Sequence, residues 1–399
     1  MSRTAKLIFV SDDNHNKYYN MVSDGGTIQV EFGRVGATCQ KTSYPDSKWE
    51  SLIKSKIKKG YKEITHLFVE PTAQTKVNFL DISDTYISQL IRKLEAYTKR
   101  QVSDNYLVTA NSVTQKQIEV AQQVLNQISG LRGLNNDLNI LLLELFSIIP
   151  RKMRHVKDYL YNANLTIKPA ILESVVAKEQ ELLDSMAQQV KQAELVTDNT
   201  DSKLTLLDAM GIEIHNIDPT TEGWVKGKLH DLKDNYLKAF KVVNKKTQAR
   251  FDAFVQKSQN KKTDTFFHGS RNENWLPILQ TGLVLRPTNA VISGKMFGYG
   301  TYYADKAKKS WGYTSARGSY WARGDATEAY MALFDVHLGN SLRVSRHESW
   351  CSFLDRSRLL AKGNYDSLFA EAGSSLYNNE IIVYTEEQST IKYLIQMKG

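Results

Sequence analysis

Along the first 77 residues the apolar positions alternate or come in short runs. "KLIFV" and "TIQVEFGRVG" are bounded by Asp, Asn and Gly, which predicts short strands. "DGG" at 24–26 predicts a hairpin turn, because glycine takes positive φ without steric cost. In "PDSKWESLIKSKIKKGY" the period lengthens. Trp49, Leu52, Ile53 and Ile57 share one helical face, lysines cover the other, and Gly60 supplies the stop. Residues 1–77 thus read as β-rich with one helix.

From 78 to 200 the period is 3.6 throughout. "SDTYISQLIRKLEAY" sets Ile87, Leu90, Ile91 and Leu94 on one stripe, with Ser83 or Asp84 as N-cap. "TQKQIEVAQQVLNQI" opens with a Thr-x-x-Gln capping box at Thr114 and Gln117, followed by Ile118, Ala121, Leu125 and Ile128. "LNILLLELFSIIP" is apolar on most sides, as a central buried helix would be, and Pro150 ends it. "ILESVVAKEQELLDSMAQQV" makes a fourth helix. The pattern predicts an all-α bundle and carries no chemistry.

"VTDNTDSK" (196–203) is a polar joint. Beyond it, Trp224, Leu229, Leu232, Tyr236 and Phe240 predict the apolar side of one further helix. Short strands then alternate with loops: "TFFHGS", "GTYYAD", "YMALFDVHLG", "EIIVYT" and "IKYLIQM". Strands without regular intervening helices predict an antiparallel-rich α+β domain over 201–399, not a doubly wound sheet. The whole is an α+β multidomain chain in three segments: 1–77, 78–200 and 201–399.

Composition changes this picture in a few places. An apolar share of 41% and a charged share of 24% suit packed domains, not a disordered chain. The net charge of +9 favours a polyanionic partner, and is equally tolerated by solubility alone. Cys39 and Cys351 form no CxxC pair, so a zinc finger or disulfide framework is excluded and two ordinary thiols are expected. The N-terminal residues lack a signal-peptide core, and the most apolar run is too short to span a bilayer. A soluble, non-secreted protein with no membrane partner is expected.

"GKMFGYGTYYADKAKKSWGYTS" (294–315) is where chemistry first enters. A flat, weakly polar ring needs aromatic faces and a few fixed hydrogen bonds. Tyr302 and Tyr313 can face such a ring from two sides, Ser310 offers a hydroxyl, and Gly294, Gly298 and Gly300 allow close backbone approach. Taken alone, the stretch fits a strand and helix burying aromatics in a core equally well. Two other places shift that balance. "FFHGSR" (266–271) ends a strand with a histidine and serine able to hold ribose hydroxyls, and Gly269 there bares its backbone. "SLYNNEIIVYT" places one carboxylate, Glu380, at the head of an apolar strand, where it is costly without a partner or a task.

In order and spacing, "HGSR", "GKMFGYGTYYADKAKKSWGY", "LGN" (338–340) and "YNNEIIVY" together resemble the catalytic domain of the poly(ADP-ribose) polymerases, the diphtheria-toxin-like branch of the ADP-ribosyltransferases. That family's signature of His, Tyr and Glu on three strands corresponds here to His268, Tyr302 and Glu380. The glutamate variant goes with chain elongation. Residues 78–200 resemble the helical regulatory domain of DNA-dependent members. Residues 1–77 resemble the WGR domain through "NKYYNM", "FGRVG" and "KKGYKE", with Phe32 in place of the motif's tryptophan ahead of Gly33 and Arg34. The resemblance covers nearly the whole chain and implies the short WGR, helical, catalytic architecture without zinc fingers.

The resemblance implies NAD as substrate and no metal. The nicotinamide amide would be held by the Gly269 backbone and Ser310, between Tyr302 and Tyr313. His268 and Ser270 would meet ribose hydroxyls, with Asn274 nearby. Glu380 would stabilise the oxocarbenium-like ribose and act as general base toward an acceptor hydroxyl. Lys309 would lie beside Glu380, and Met296 would line the acceptor side. Phe32 and Arg34 would be DNA contacts. Damaged DNA, acceptor proteins and the chain itself are the implied partners. The location would be the nucleus in a eukaryote and the cytoplasm otherwise. The lysines of 54–62 fit either a DNA contact or a solvated face. Two further readings are a DNA-end-binding scaffold with weak or single-unit transfer, and a mono-ADP-ribosylating toxin. The intact His-Tyr-Glu set argues against the first. The upstream segments argue against the second, as does the lack of a signal sequence.

Overall fold

A computed structural model describes residues 3–68, 79–110, 113–198, 204–285, 296–319, 322–324 and 326–399. Both expected domain junctions, at 77/78 and 200/201, lie outside these residues, as does Gly294. The elements group into two compact units. The first holds β1 (Arg3–Ser11), β2 (His15–Asp24), β3 (Thr27–Arg34), β4 (Gln40–Pro45), α1 (Trp49–Lys58) and β5 (Lys62–Glu63). The partition then falls within α2 (Thr85–Asn105), which joins the second unit as far as Thr98 and the first from Lys99. The first unit continues with α3 (Gln115–Ser129), α4 (Asn135–Ile148) and α5 (Pro169–Asp198).

The first unit is built on an antiparallel sheet of order β4-β3-β2-β1-β5. Gly25 and Gly26 close the β2–β3 hairpin with φ of 58° and 87°, values that a two-residue turn of this hand demands. One sheet face packs Leu7, Met21, Ile28 and Val30 against Trp49 of α1. Leu52 and Ile53 join them, whereas Ile57, expected on the same face, is 50% exposed. The other face of β1 buries Ile8 against Ile64 and Leu107. β1 is therefore covered on both sides, which is why "KLIFV" reads as a continuous apolar run.

The helical stripes form as the pattern predicts. Asp84 caps α2, its Oδ1 accepting from Tyr86 and Ile87 N–H at 2.9 and 3.0 Å. The Thr114–Gln117 box closes reciprocally at the start of α3. Ile118, Ala121, Leu125 and Ile128 are buried, as are Leu138, Leu142, Leu145 and Phe146 of α4. Asn139, which interrupts the apolar run of α4, is satisfied by the backbone of Tyr161, donating at 2.6 Å and accepting at 2.9 Å.

Polar contacts bind the sheet to the helices of this unit. Fully buried Asn16 donates to the carbonyl of Met153 at 3.1 Å, and Asn14 Oδ1 accepts from Val156 N–H at 2.7 Å. Arg151 pairs with Glu179 of α5 at 3.0 Å with both side chains at most 5% exposed, and its guanidinium lies 4.9 Å from the Tyr106 ring.

The second unit holds α6 (Leu206–Met210), β6 (Ile212–Asn216), α7 (Pro219–Leu229), β7 (Tyr236–Asn244), α8 (Lys245–Lys257), β8 (Thr263–Gly269) and α9 (Trp275–Thr281). It continues with β9 (Thr301–Tyr303), α10 (Ala307–Trp311), β10 (Gly318–Ser319), β11 (Ala322–Arg323), β12 (Glu328–His337) and β13 (Ser341–Val344). α11 (Arg356–Ala361), β14 (Ser367–Ala370), β15 (Glu380–Val383) and β16 (Ser389–Lys398) complete it. Two larger sheets result, of order β6-β7-β16-β12-β8 and β13-β14-β15-β9, antiparallel except for the β13–β14 pair, and β10 and β11 form a separate two-stranded ribbon. The expected α+β class with antiparallel sheets is what this unit has. Among the described residues no helix is long and apolar enough to cross a membrane.

One helix is shorter than its pattern suggests. The stretch from Trp224 to Phe240 does not stay helical. α7 ends at Leu229, and His230 takes a φ of 48°, which a right-handed helix cannot contain. Tyr236 and Phe240 belong to β7 instead. Hydrogen bonds from β6 and β16 on either side of β7 decide the matter, and such tertiary pairing outweighs local periodicity. Trp224 is left 41% exposed.

The Arg151–Glu179 pair yields a stability test. Glu179→Gln strands a buried guanidinium and should cost about 3–5 kcal/mol, while replacing both residues by methionine should cost far less. Urea unfolding of the full chain measures both. A Glu179→Gln protein within about 1 kcal/mol of wild type would contradict this account.

Candidate active site

The two larger sheets of the second unit are joined by a backbone bridge beside the site. Phe267 of β8 and Ala304, just past β9, exchange backbone hydrogen bonds at 2.8 and 2.9 Å. This junction brings His268, one residue past Phe267, against Tyr302, two residues before Ala304. His268 Nδ1 lies 3.0 Å from the Tyr302 carbonyl. A carbonyl only accepts, so Nδ1 carries the proton and Nε2 is left as an acceptor. Trp275, Tyr303 and Phe334 wall the imidazole edge-on. Burial among them lowers the His268 pKa, which the Tyr302 carbonyl partly offsets.

Gly269 follows at the end of β8. A Cβ there would fall 1.8 Å from the carbonyl oxygen of Ser310. Only a glycine lets α10 come this close, and the contact sets Ser310 beside the exposed backbone of β8. Ala307 and Trp311 on the inner side of α10 are buried with Val225 and Leu229 of α7. Ser310 is itself 4% exposed. Tyr313, two residues beyond α10, is 52% exposed. Ser270 and Asn274 also come together, the Asn274 amide donating to Ser270 Oγ at 3.1 Å.

Tyr302 is held by its hydroxyl, which accepts from Phe297 N–H at 3.1 Å and donates to the Gly298 carbonyl at 2.9 Å. Burial raises its pKa well above the usual tyrosine value. It is thus a fixed ring and not a proton donor to a substrate. Gly298 makes this possible: its φ is 80°, and a Cβ there would meet the Leu354 backbone at 2.2 Å. Met296 packs beside Tyr302 in the apolar cluster under β14 and β15.

β15 pairs with β9, Ile382 opposite Tyr302, so Glu380 sits at the strand end on the same face as Tyr302. Glu380 is 7% exposed and pairs with Lys309 Nζ of α10. A buried carboxylate so paired stays poised for charge-dependent work without an unpaired desolvation cost. Asn379 anchors the approach to it, donating to Asp305 at 2.6 Å and accepting from Ala372 N–H at 2.8 Å. Asn379 and Asp305 escaped the sequence reading although both lie inside motifs it quoted. Their chemistry is structural, and nothing in a lone Asn or Asp signals which partner it will find.

The structure therefore gathers His268, Gly269, Ser310, Tyr302, Lys309 and Glu380 in one region of the second unit. Among the described residues no group of three His, Cys, Asp or Glu side chains could hold a metal.

Phe32 and Arg34 lie in the first unit. The Phe32 ring is 5.8 Å from Tyr19 and 6.0 Å from Lys56 Nζ. Arg34 donates to the carbonyls of Asn14 at 2.7 Å and Arg154 at 3.2 Å.

Residues 225–367 match the family model described as the poly(ADP-ribose) polymerase catalytic domain, a span that includes His268, Tyr302 and Ser310. The putative poly [ADP-ribose] polymerase-like 100L of Invertebrate iridescent virus 6 is 36% identical over 166 residues, 40% of this chain and 84% of that protein. The chain belongs to the poly(ADP-ribose) polymerase family. Uncharacterized protein 101L of the same virus is 36% identical over 195 residues, 48% of this chain and 79% of its own length. Poly [ADP-ribose] polymerase 2 of Arabidopsis thaliana is 31% identical over 169 residues, 37% of this chain and 26% of that protein. The chain is an NAD+ ADP-ribosyltransferase.

The protonation of His268 leaves a thermodynamic trace. The folded chain resists taking up a proton there, whereas an unfolded histidine titrates near 6.5. As pH falls through that value the unfolded state binds the proton first, so stability declines toward acid. The loss in melting temperature between pH 7.5 and pH 5.5 should be smaller in His268→Gln than in wild type. Equal losses would show that His268 titrates alike in both states.

Proposed function

We propose that this chain cleaves the bond between nicotinamide and ribose in NAD, transfers ADP-ribose to proteins including itself, elongates the product into polymer, and does so faster on broken DNA. The observation that supports this most is the buried Glu380–Lys309 pair at the end of β15, on the same face as Tyr302. An acceptor-facing carboxylate is what distinguishes elongation from mere binding of a dinucleotide.

On this reading the nicotinamide ring stacks between Tyr302 and Tyr313, and its amide bonds the Gly269 backbone and the Ser310 hydroxyl. His268 Nε2 accepts from a ribose hydroxyl, and Ser270 and Asn274 meet the ribose of the adenosine half. As the glycosidic bond lengthens, positive charge grows on the ribose and Glu380 stabilises it through the 2′-hydroxyl. Glu380 then accepts the proton of the incoming acceptor hydroxyl, whose oxygen forms the new bond to the anomeric carbon while nicotinamide leaves. Lys309 stays paired with the Glu380 carboxylate and holds it in place, and Met296 shapes the acceptor side. No step calls for a metal.

Glu380→Gln separates binding from elongation. The amide keeps the shape and loses charge and basicity. Polymer formation should fall by ~10²–10⁴-fold while NAD binding largely survives and single-unit transfer or hydrolysis persists. Tyr313→Ala should instead weaken NAD binding first, because stacking is lost. Product length on gels and NAD affinity report the two effects, and long polymer from Glu380→Gln would remove this carboxylate from the elongation step.

The first unit is the proposed DNA-facing part. The lysine-rich outer side of α1 supports this, as does the half-buried ring of Phe32 next to Lys56. Arg34 spends two of its five N–H donors on backbone carbonyls, and its remaining donors are proposed to meet phosphate. Phosphate contacts release counterions, so stimulation by nicked DNA should decline steeply as salt rises. Nicotinamide release measured with and without nicked DNA across a salt series tests this. Equal turnover with and without DNA at low salt would favour the scaffold reading or constitutive transfer.

A further inference from the structure

The turn after β8 is held from behind by α2. Thr98, 1% exposed, shares its one hydroxyl proton between the carbonyl of Glu273 at 2.9 Å and that of Leu94, one turn back on α2, at 3.1 Å. One turn earlier on the helix, Lys93 pairs with Glu328 at 2.7 Å. Glu328 also accepts from the Tyr330 hydroxyl, and its carbonyl accepts from the buried Asn272 amide at 2.9 Å. Asn272 N–H in turn donates to Ser315 Oγ at 2.8 Å. All of these residues belong to the second unit.

Asn272 and Glu273 lie between Ser270 and Asn274, the proposed contacts to the adenosine ribose. One side of the turn thus serves the nucleotide, and the other is clamped by the part of α2 that ends at Thr98. The clamp also reaches Ser315, just beyond the segment that carries Ser310 and Tyr313. A hydroxyl fixed on a helix offers the part-buried Glu273 carbonyl a donor at a defined place. Losing it removes one of the contacts that fix the turn carrying Ser270 and Asn274.

We propose that Thr98 and Lys93 are positioning residues that hold the β8–α9 turn in its NAD-binding geometry. The proposal rests on the reading of Ser270 and Asn274 as nucleotide contacts. It assigns the first part of α2 to the transferase itself, although the helical period makes it look like the opening of a separate bundle. Glu380, Lys309 and Tyr302 stand on other elements, so the effect falls on nucleotide affinity and spares the chemical step.

The test uses the full chain and steady-state nicotinamide release. Thr98→Val, nearly isosteric, should raise the KM for NAD about fivefold with kcat within about twofold of wild type, the scale of one lost hydrogen bond. Thr98→Ser, which keeps the hydroxyl, should restore it. Lys93→Gln should raise KM about two- to threefold, and Lys93→Arg should recover it. Lys93 is half-exposed, so this second pair decides the matter if Thr98→Val fails to fold. Ser270→Ala is the control for the underlying reading. If it raises KM while Thr98→Val and Lys93→Gln do not, the clamp is overturned and the nucleotide reading stands. If Ser270→Ala leaves KM unchanged, the nucleotide reading fails and the proposal falls with it. A drop in kcat at constant KM, or no recovery in the Ser and Arg variants, also overturns the clamp.

Discussion

Two backbone hydrogen bonds, between Phe267 and Ala304, hold the arrangement of the candidate site. They join two sheets that otherwise have separate cores, one under β12 and β16 and the other under β14 and β15. His268 comes from one sheet; Tyr302 and Glu380 come from the other. The junction fixes the spacing of these residues together with contacts farther along the sheets, such as Ser367 Oγ donating to the Leu338 carbonyl at 2.7 Å and Tyr303 lying 5.7 Å from Phe334. Backbone pairing is well suited to the task because its geometry does not depend on the side chains that chemistry requires nearby.

Close approach is the second constraint. Gly269 against Ser310, and Gly298 against Leu354, are contacts in which a single methyl group would meet backbone. The first brings α10 onto the end of β8, and the second lets the segment before β9 curl under the Tyr302 hydroxyl. The second contact also helps to hold the Tyr302 ring in place through its hydroxyl. A ring held in place loses little entropy when a ligand stacks on it.

Buried charge is treated alike in both units. Arg151–Glu179 and Lys309–Glu380 are each withdrawn from water and each paired. The first belongs to the first unit and is ringed by Tyr106 and Phe146, so it serves the packing of helices. The second lies beside Tyr302 at the end of a strand, where the proposed reaction has a use for its charge. Burial alone does not distinguish the two. Their neighbours do.

Much of this was legible from the chain alone. Periodicity located α1 and α3–α5, the Thr114–Gln117 box and the "DGG" hairpin, because each depends on residues within a turn or two of one another. The motifs around His268, Tyr302 and Glu380 marked the candidate site and the family, since their residue types are tied to a fixed chemistry. Three things needed the tertiary structure. The helix expected through Phe240 gave way to β7 once neighbouring strands offered hydrogen bonds. Asn379 and Asp305 acquired a role only when β9 and β15 were paired. The beginning of α2, whose stripe is that of any bundle helix, packs with the transferase because Lys93 and Thr98 find partners at Glu328 and Glu273, far away in sequence. Local pattern determines which face of an element is buried; which surface it is buried against depends on contacts between distant residues, and these exist only in the folded chain.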